Sequence, residues 1–402
     1  MNNLPEQNIQ LNTESSEKNG NSGVKTVAVI LTVVFCLLTA GLGLCGIFSP
    51  DKAFSESENR VLSEKPVLTR EGLLNGSYMK EVEAYLSDQF PFRDGAISLK
   101  TFADRLIGKR EENGVYIGKD GYLFDSQTEY IKEDNKKKLK AIDSFSKKHK
   151  YTEQLFVLVP NSSFIYKENL PYGVQLPDQQ KQIKKVLASL KTENMIKLDA
   201  TKLLLREKEK GTQLYYRTDH HWTTRAAYSV FEGILKKWNM TDGKSEYKFY
   251  PVTADFEGTL SGKSGVSDTR DIIEICVPEK AEGTYTVNYE SKQIKTASLF
   301  DESKLAQKNK YEVFIGGNYD KVVIDTVVQN DKSLLIIKDS YANCMIPMFT
   351  PCFSKIVIVD PRYLTDSMDA IMEDADFTHI LFLYNLNTFL GDTSIVPAFD
   401  ED

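Results

Sequence analysis

"SLLIIKDSYANCMIPMF", residues 333–349, decides how this chain is read. Its first half is a short, continuous apolar run rich in Leu and Ile, the pattern of a strand buried on both faces. Lys338-Asp339 end the run, Ser340 falls at the turn, and Tyr341 to Phe349 carry the pattern of a following helix. Strand then helix is the repeating unit of an open α/β sheet, whose functional side chains gather on loops at the carboxyl ends of strands. Ser340 stands at such an end, where amides of the next helix can face an oxyanion. It is the candidate nucleophile.

The same texture recurs on either side. "QLFVLVP" (154–160) and the weaker "MIKLDA" (195–200) read as strands, with a helical pattern near 179–190 between them. "KIVIVD" (355–360) and "HILFLYN" (379–385) follow the serine segment, with stretches between long enough for helical crossovers. This alternation predicts a mainly parallel sheet covered by helices. Residues 246–330 differ: "GTLSGKSG", "GTYTVNYESKQIKTASLF" and "YEVFIGGNYDKVVIDT" alternate apolar and polar positions around turn residues, which predicts inserted antiparallel hairpins. The "GTLSGKSG" loop, 258–265, reads either as the border of a groove or as a plain connection.

A serine hydroxyl is a weak nucleophile until an imidazole takes its proton, and a carboxylate fixes that imidazole's tautomer. "YYRTDHHWTT" (215–224) offers both, and holds two of the four histidines. In an extended segment Asp219 and His221 would share a face while His220 points away. Thr223 suits the N-cap of a helix through Trp238, with Val230, Phe231 and Ile234 for the core. No third ligand cluster lies near the histidines in sequence, so no metal and no cofactor are expected. Trp222 could stack on a sugar ring or pack in the core. Arg217 could anchor an acidic sugar or make a surface ion pair. Asn385, with Asn343 behind it, is the candidate oxyanion donor, and a capping role fits each equally.

The N-terminal region has a different composition. Residues 1–23 are polar and predict a disordered tail, while 24–48 read as a membrane anchor, in which 26–48, after Lys25 on the tail side, are uncharged and mostly apolar over a length that spans a bilayer as a helix. The apolar run is longer than a cleavable signal's and lacks a good cleavage site, which favours a membrane anchor with its tail in the cytoplasm and the bulk outside. Residues 49–112 read as a spacer with two helical stripes (Val82, Tyr85, Leu86, Phe90, then Leu99, Phe102, Leu106) expected to pack inward, and 113–402 as the main domain. A net charge of −7 without a basic patch argues against nucleic acid as a partner. Cys276, Cys344 and Cys352 have no metal-like spacing; a Cys344–Cys352 bridge and single buried thiols both fit.

The strings "FSESENRVLSEKP" (54–66), "YLSDQFPFRD" (85–94), "GVYIGKDGYLF" (114–124), "RTDHHWT" (217–223) and "IIKDSYAN" (336–343) resemble the DHHW protein family. That family is similar to the SGNH-hydrolase-like alginate O-acetylation proteins of the AlgX and AlgJ types. The resemblance covers the chain from about residue 53 to its C-terminus. It implies an SGNH-hydrolase-like three-layer α/β fold, with Asp219 and His221 as acid and base and Ser340 as nucleophile. It further implies O-acetyl transfer to a cell-surface polysaccharide, or ester hydrolysis, with a membrane-bound O-acyltransferase as a partner. Lys338 departs from the Gly-Asp-Ser pattern of SGNH enzymes, which leaves a non-catalytic polysaccharide-binding or assembly protein as the alternative.

Overall fold

The computed structural model describes residues 10–58, 60–240, 245–279, 285–373 and 375–399. The chain forms two compact units: one holds the residues up to Ser55 and the 60–96 stretch, the other runs from Ile97 onward and includes residues 56–58. The compact units divide at 96/97, within the 49–112 stretch expected as spacer and helical segment.

In the first unit, helix α1 (Gln10–Phe48) contains the apolar run Val24–Phe48, long and apolar enough to cross a membrane and fully unburied. The helical backbone from Gln10 corrects the expected unstructured tail over 10–23; residues 1–9 lie outside the described residues. Each residue added to an established helix gains a backbone hydrogen bond without a new nucleation cost, so the apolar segment can carry polar neighbours with it. Strands β1 (Phe54–Ser55) and β2 (Arg60–Val61) pair antiparallel. Helix α2 (Ser77–Asp88) ends on a buried Asp88, which accepts from Arg60 and from the Ser63 amide and hydroxyl.

Helix α3 (Arg93–Leu106) reaches into the second unit. Both helical stripes expose residues expected to pack inward: Leu86 and Phe90 around α2, and Leu99, Phe102 and Leu106 on α3. On α3 the polar side is the one that docks. Thr101 is buried and donates to Ser264 O at 2.6 Å, while Leu99, Phe102 and Leu106 are exposed.

The second unit carries a small meander, β3 (Glu111–Glu112), β4 (Val115–Ile117) and β5 (Leu123–Asp125). Then helix α4 (Lys132–Lys148), strand β6 (Glu153–Val159), helix α5 (Gln179–Ser189), strand β7 (Met195–Asp199) and helix α6 (Thr224–Lys237) alternate. Strands β8 (Tyr247–Phe256) and β9 (Asp271–Pro278) form a separate hairpin around the short helix α7 (Thr259–Ser264). Strands β10 (Tyr285–Tyr289), β11 (Ile294–Thr296), β12 (Lys321–Thr326), β13 (Ser333–Lys338), β14 (Lys355–Val359) and β15 (His379–Asn385), with helix α8 (Leu386–Gly391), complete it.

The main sheet has the order β11-β10-β12-β14-β13-β15-β6-β7. Its half from β14 to β7 is parallel, as expected, and β12, β10 and β11 extend it antiparallel. Part of 246–330 is thus an edge of the main sheet and only β8–β9 a separate hairpin; residues 280–284 lie outside the described residues. Alternation along each strand splits the core into two faces. Leu334, Ile336, Leu381 and Leu383 pack with Val230, Phe231 and Ile234 of α6 on one side. Leu335, Ile337, Ile380 and Phe382 pack with Ile142 and Phe145 of α4 and Ile183 of α5 on the other. This is the three-layer, SGNH-like α/β arrangement.

Tyr341 to Phe349 form two separate 3₁₀ turns, Ser340–Ala342 and Ile346–Phe349, in place of the expected helix. Pro347 begins the second turn region, and a proline inside one continuous α-helix would lose a hydrogen bond and collide with the carbonyl of Asn343. Cys276, Cys344 and Cys352 are buried single thiols.

Candidate active site

Ser340 follows the carboxyl end of β13, in the middle of the sheet. His221 Nε2 lies 2.8 Å from its Oγ, and His221 Nδ1 lies 2.6 Å from Asp219 Oδ1. The three residues expected to act together, 119 positions apart at their widest contact, are one hydrogen-bonded line. Asp219 and His221 are buried, and Ser340 lines a cleft of about 390 Å³.

The line is held from several sides. Asp219 Oδ1 also accepts from the His221 amide at 2.9 Å, while Oδ2 accepts from the Thr259 amide at 2.8 Å and Thr259 Oγ1 at 2.9 Å. A Cβ on Gly258 would collide with Asp219, so glycine lets α7 come this close. Tyr311 stacks on the His221 ring, centroids 3.8 Å apart and planes 10° from parallel, and its hydroxyl donates to Ser340 O at 3.2 Å. Burial opposes ionisation of Asp219, but the two imidazoles and Thr259 outweigh it and hold its carboxyl well below the usual carboxylate range. Burial, assisted by His220, pushes the His221 imidazole down to about 4 against the pull of Asp219. At neutral pH the site therefore holds a carboxylate, a neutral imidazole with a proton on Nδ1, and a hydroxyl facing Nε2, the protonation state a general base needs.

His220 does not turn away as strand alternation predicted. Tyr215 and Trp222 bridge antiparallel and close 216–221 into a tight loop, so period-two alternation does not apply inside it. The His220 and His221 rings lie 3.8 Å apart, and His220 Nδ1 meets Thr259 Oγ1 at 2.7 Å. Because the Thr259 proton goes to Asp219, His220 donates from Nδ1 to Thr259 Oγ1, and the residue lines the cleft. Asp219, His220 and His221 form a cluster compact enough for a metal ion. Both ring nitrogens of His221 already face Asp219 and Ser340, so this donor set suits proton transfer rather than ligation.

Four other expected site residues make structural contacts, and of these Asn385 also lines the cleft. Trp222 is fully buried and donates from Nε1 to Tyr341 O at 2.7 Å, so it braces the serine turn and offers no face to a sugar. Arg217 lies over the Tyr122 ring, 5.6 Å from its centroid, and is not among the residues lining the cleft. Asn385 lines the cleft as the N-cap of α8: Oδ1 accepts from the Asn387 amide and Asn161, and Nδ2 donates to Val159 O. Asn343 Nδ2 is spent on Asn318 Oδ1 at 3.2 Å.

The sequence reading missed Asn318. Its Oδ1 accepts from both Asn343 and Lys338 Nζ, which turns the amide nitrogen of this cleft-lining residue away from those partners. Lys338, which breaks the Gly-Asp-Ser pattern, is completely buried, 3.1 Å from Asp360 Oδ2. Arg362 closes on the same Asp360 with bonds of 2.9 and 2.6 Å and reaches the cleft. Asp360 and Arg362 follow "KIVIV" at the carboxyl end of β14, where strand-end logic points; Thr259, in the "GTLSGKSG" segment, has no such signal. Asp339 caps the serine turn by accepting from the Tyr341 amide at 2.9 Å and the Asn385 amide at 2.8 Å. Burial pushes its carboxyl up to about 6.

Residues 115–308 match the family model "SGNH hydrolase-like domain, acetyltransferase AlgX", a span that includes Asp219 and His221 and stops before Ser340. Among solved structures, a DHHW family protein from Eubacterium siraeum is 22% identical, with 71% of this chain and 94% of that one covered at a TM-score of 0.59. Bacillus cereus PatB1, solved with a sulfonyl adduct, is 17% identical over 70% of this chain and 97% of its own, also at 0.59. The O-acetyltransferase domain of Pseudomonas putida AlgJ is 15% identical over 71% and 98%, at 0.46. No curated protein matches the chain.

Proposed function

We propose, for a chain that carries an SGNH-hydrolase-like domain, that it is a membrane-anchored extracytoplasmic O-acyltransferase acting on a cell-surface polysaccharide through an acyl-serine. In the first half-reaction His221 Nε2 takes the Ser340 proton as Oγ attacks the acyl carbonyl. The bond to the donor's leaving oxygen breaks, and that oxygen leaves with the proton held by His221. In the second, a sugar hydroxyl gives its proton to His221 and attacks the acyl-serine, which returns Ser340 Oγ–H and leaves the acyl group on the glycan. Water entering in place of the sugar gives hydrolysis. Asp219 stays ionised and steadies the imidazolium in both halves. Asn318 Nδ2 and the Ser340 amide are the donors for the oxyanion, and each such donor contributes roughly 100–1,000-fold in rate. Acetyl is the acyl group we favour, supplied by a membrane-bound O-acyltransferase, with Val24–Phe48 as the anchor.

The observation that carries this reading is the unbroken Asp219–His221–Ser340 line at a polar cleft. The PatB1 structure with a sulfonyl adduct supports it, since sulfonyl groups trap activated hydroxyls. The competing reading, a non-catalytic glycan binder, drew on Lys338. Its buried contacts to Asp360 and Asn318 give that lysine a positioning role compatible with catalysis. Turnover of a chromogenic acetyl ester by the full chain, lost in Ser340→Ala, is the expected result. Equal rates in the two proteins would contradict it.

A further inference from the structure

The "FSESENR" segment lies in the stretch expected to be a spacer, yet residues 56–58 belong to the compact unit that holds the Asp219–His221–Ser340 line. They form the turn between β1 and β2, whose register pairs Ser55 with Arg60. Ser57 is buried, and Glu58 lines the same cleft as Ser340, His220, Asn318 and Arg362. The seat is built for the turn. A Cβ on Gly262 of α7 would fall inside the Ser57 carbonyl, so only glycine admits this backbone approach. The same short helix holds Asp219 through Thr259 and places Leu260 in the cluster of Val115, Ile117, Leu123 and Val266. One rigid element thus orients the acid of the catalytic line and fixes the turn.

We propose that residues 56–58 are a specificity wall of the cleft, limiting the bulk of the groups that reach Ser340 Oγ. This rests on the acyl-serine reading, because the wall has meaning only if Ser340 is attacked or attacks there. A chain tip seated on a glycine, with Glu58 lining the cleft that holds Ser340, can exclude by shape, and pocket discrimination of this kind is worth roughly 10-fold or more for small differences in size.

The test compares two sulfonyl fluorides on the full-length chain: methanesulfonyl fluoride, which is small, and phenylmethanesulfonyl fluoride, which is bulky. In each case Ser340 Oγ bonds to sulfur, the S–F bond breaks, fluoride leaves and His221 takes the proton. Labelling rates at Ser340 are read by peptide mass. In Glu58→Ala, and in Gly262→Ala, which unseats the turn, the bulky-to-small rate ratio should rise about 10-fold. A purely structural role would lower both rates together and leave the ratio alone, and that result overturns the wall. Should Gly262→Ala fail to fold, Glu58→Ala decides. No labelling of the parent chain at Ser340 would defeat the nucleophile reading and the wall with it, whereas a labelled parent with an unchanged ratio in Glu58→Ala defeats the wall alone.

Discussion

Two buried aspartates flank the serine–histidine pair, and their surroundings drive them in opposite directions. Asp219 comes from a tight loop and faces two imidazoles and Thr259, which keep it ionised. Asp339 comes from the end of a sheet strand and receives two backbone amides, and burial lifts it to about 6. The same side chain at the same depth thus serves as an electrostatic partner in one place and as a turn clamp in the other. In the proposed mechanism, chemistry falls to Asp219 and architecture to Asp339.

The strongest way to break the comparison is to neutralise the electrostatic partner. Asp219→Asn should cut kcat/KM for an acetyl ester by about 10,000-fold, because the imidazole loses its tautomer and its counter-charge. Thermal melting should remain cooperative. A loss of only a few-fold would place Asp219 with the architectural residues.

The Lys338–Asp360–Arg362 cluster at the sheet end should respond in stability. Lys338→Met leaves Asp360 buried with one cation fewer and should cost about 3–5 kcal/mol in denaturant unfolding, as when one member of a buried pair is removed. An unchanged midpoint would show that Arg362 alone satisfies Asp360.

Thr259→Val sharpens the other side. It removes a hydroxyl donor to an ionised carboxylate, worth about 1.5–3 kcal/mol, so the ester rate should fall roughly 10–100-fold with little change in KM. A change confined to KM would make Thr259 a substrate ligand.

The smallest effect belongs to Asp339. Its folded pKa lies above the ordinary carboxyl value, so the folded state holds a proton that the unfolded chain has released. Its contribution to stability is therefore complete at low pH and is lost as pH rises to about 6. Asp339→Asn should remove that falling component from a plot of Tm against pH, at a cost of about 1 kcal/mol for the imperfect cap. The His221 value of about 4 gives the complementary test: ester turnover should keep its base form down to about pH 4 instead of failing near the usual imidazole range.

Much of this was legible in the sequence. Buried parallel strands announce themselves as short β-rich apolar runs, which is why β6, β13, β14 and β15 fall where their composition puts them. The meeting of Asp219, His221 and Ser340 in one hydrogen-bonded line was expected from what an alcohol needs to become a nucleophile. What escaped depends on distant chain positions meeting. His220 faces the cleft because Tyr215 and Trp222 close a loop, a pairing that local alternation cannot reveal. Trp222 is buried because Tyr341 offers it a carbonyl, and Asn318 is oriented by a lysine from β13. Leu99, Phe102 and Leu106 have the spacing of a core stripe, but the helix docks through the side that carries the buried Thr101. The "GTLSGKSG" segment lines the cleft, one of the two readings its sequence allowed, but the bonds from Thr259 to Asp219 and the seating of the 56–58 turn on Gly262 depend on approaches between distant chain positions.

The central claim is that Ser340, activated by His221, carries the acyl group. The most direct measurement is peptide mass analysis of the full-length chain quenched during turnover of an activated acetyl ester. An acetyl group on the peptide containing Ser340, absent in Ser340→Ala and strongly reduced in His221→Ala, is the predicted result. Turnover that continues with no acetyl on that peptide, or with the acetyl group on another residue unaffected by either substitution, would contradict it.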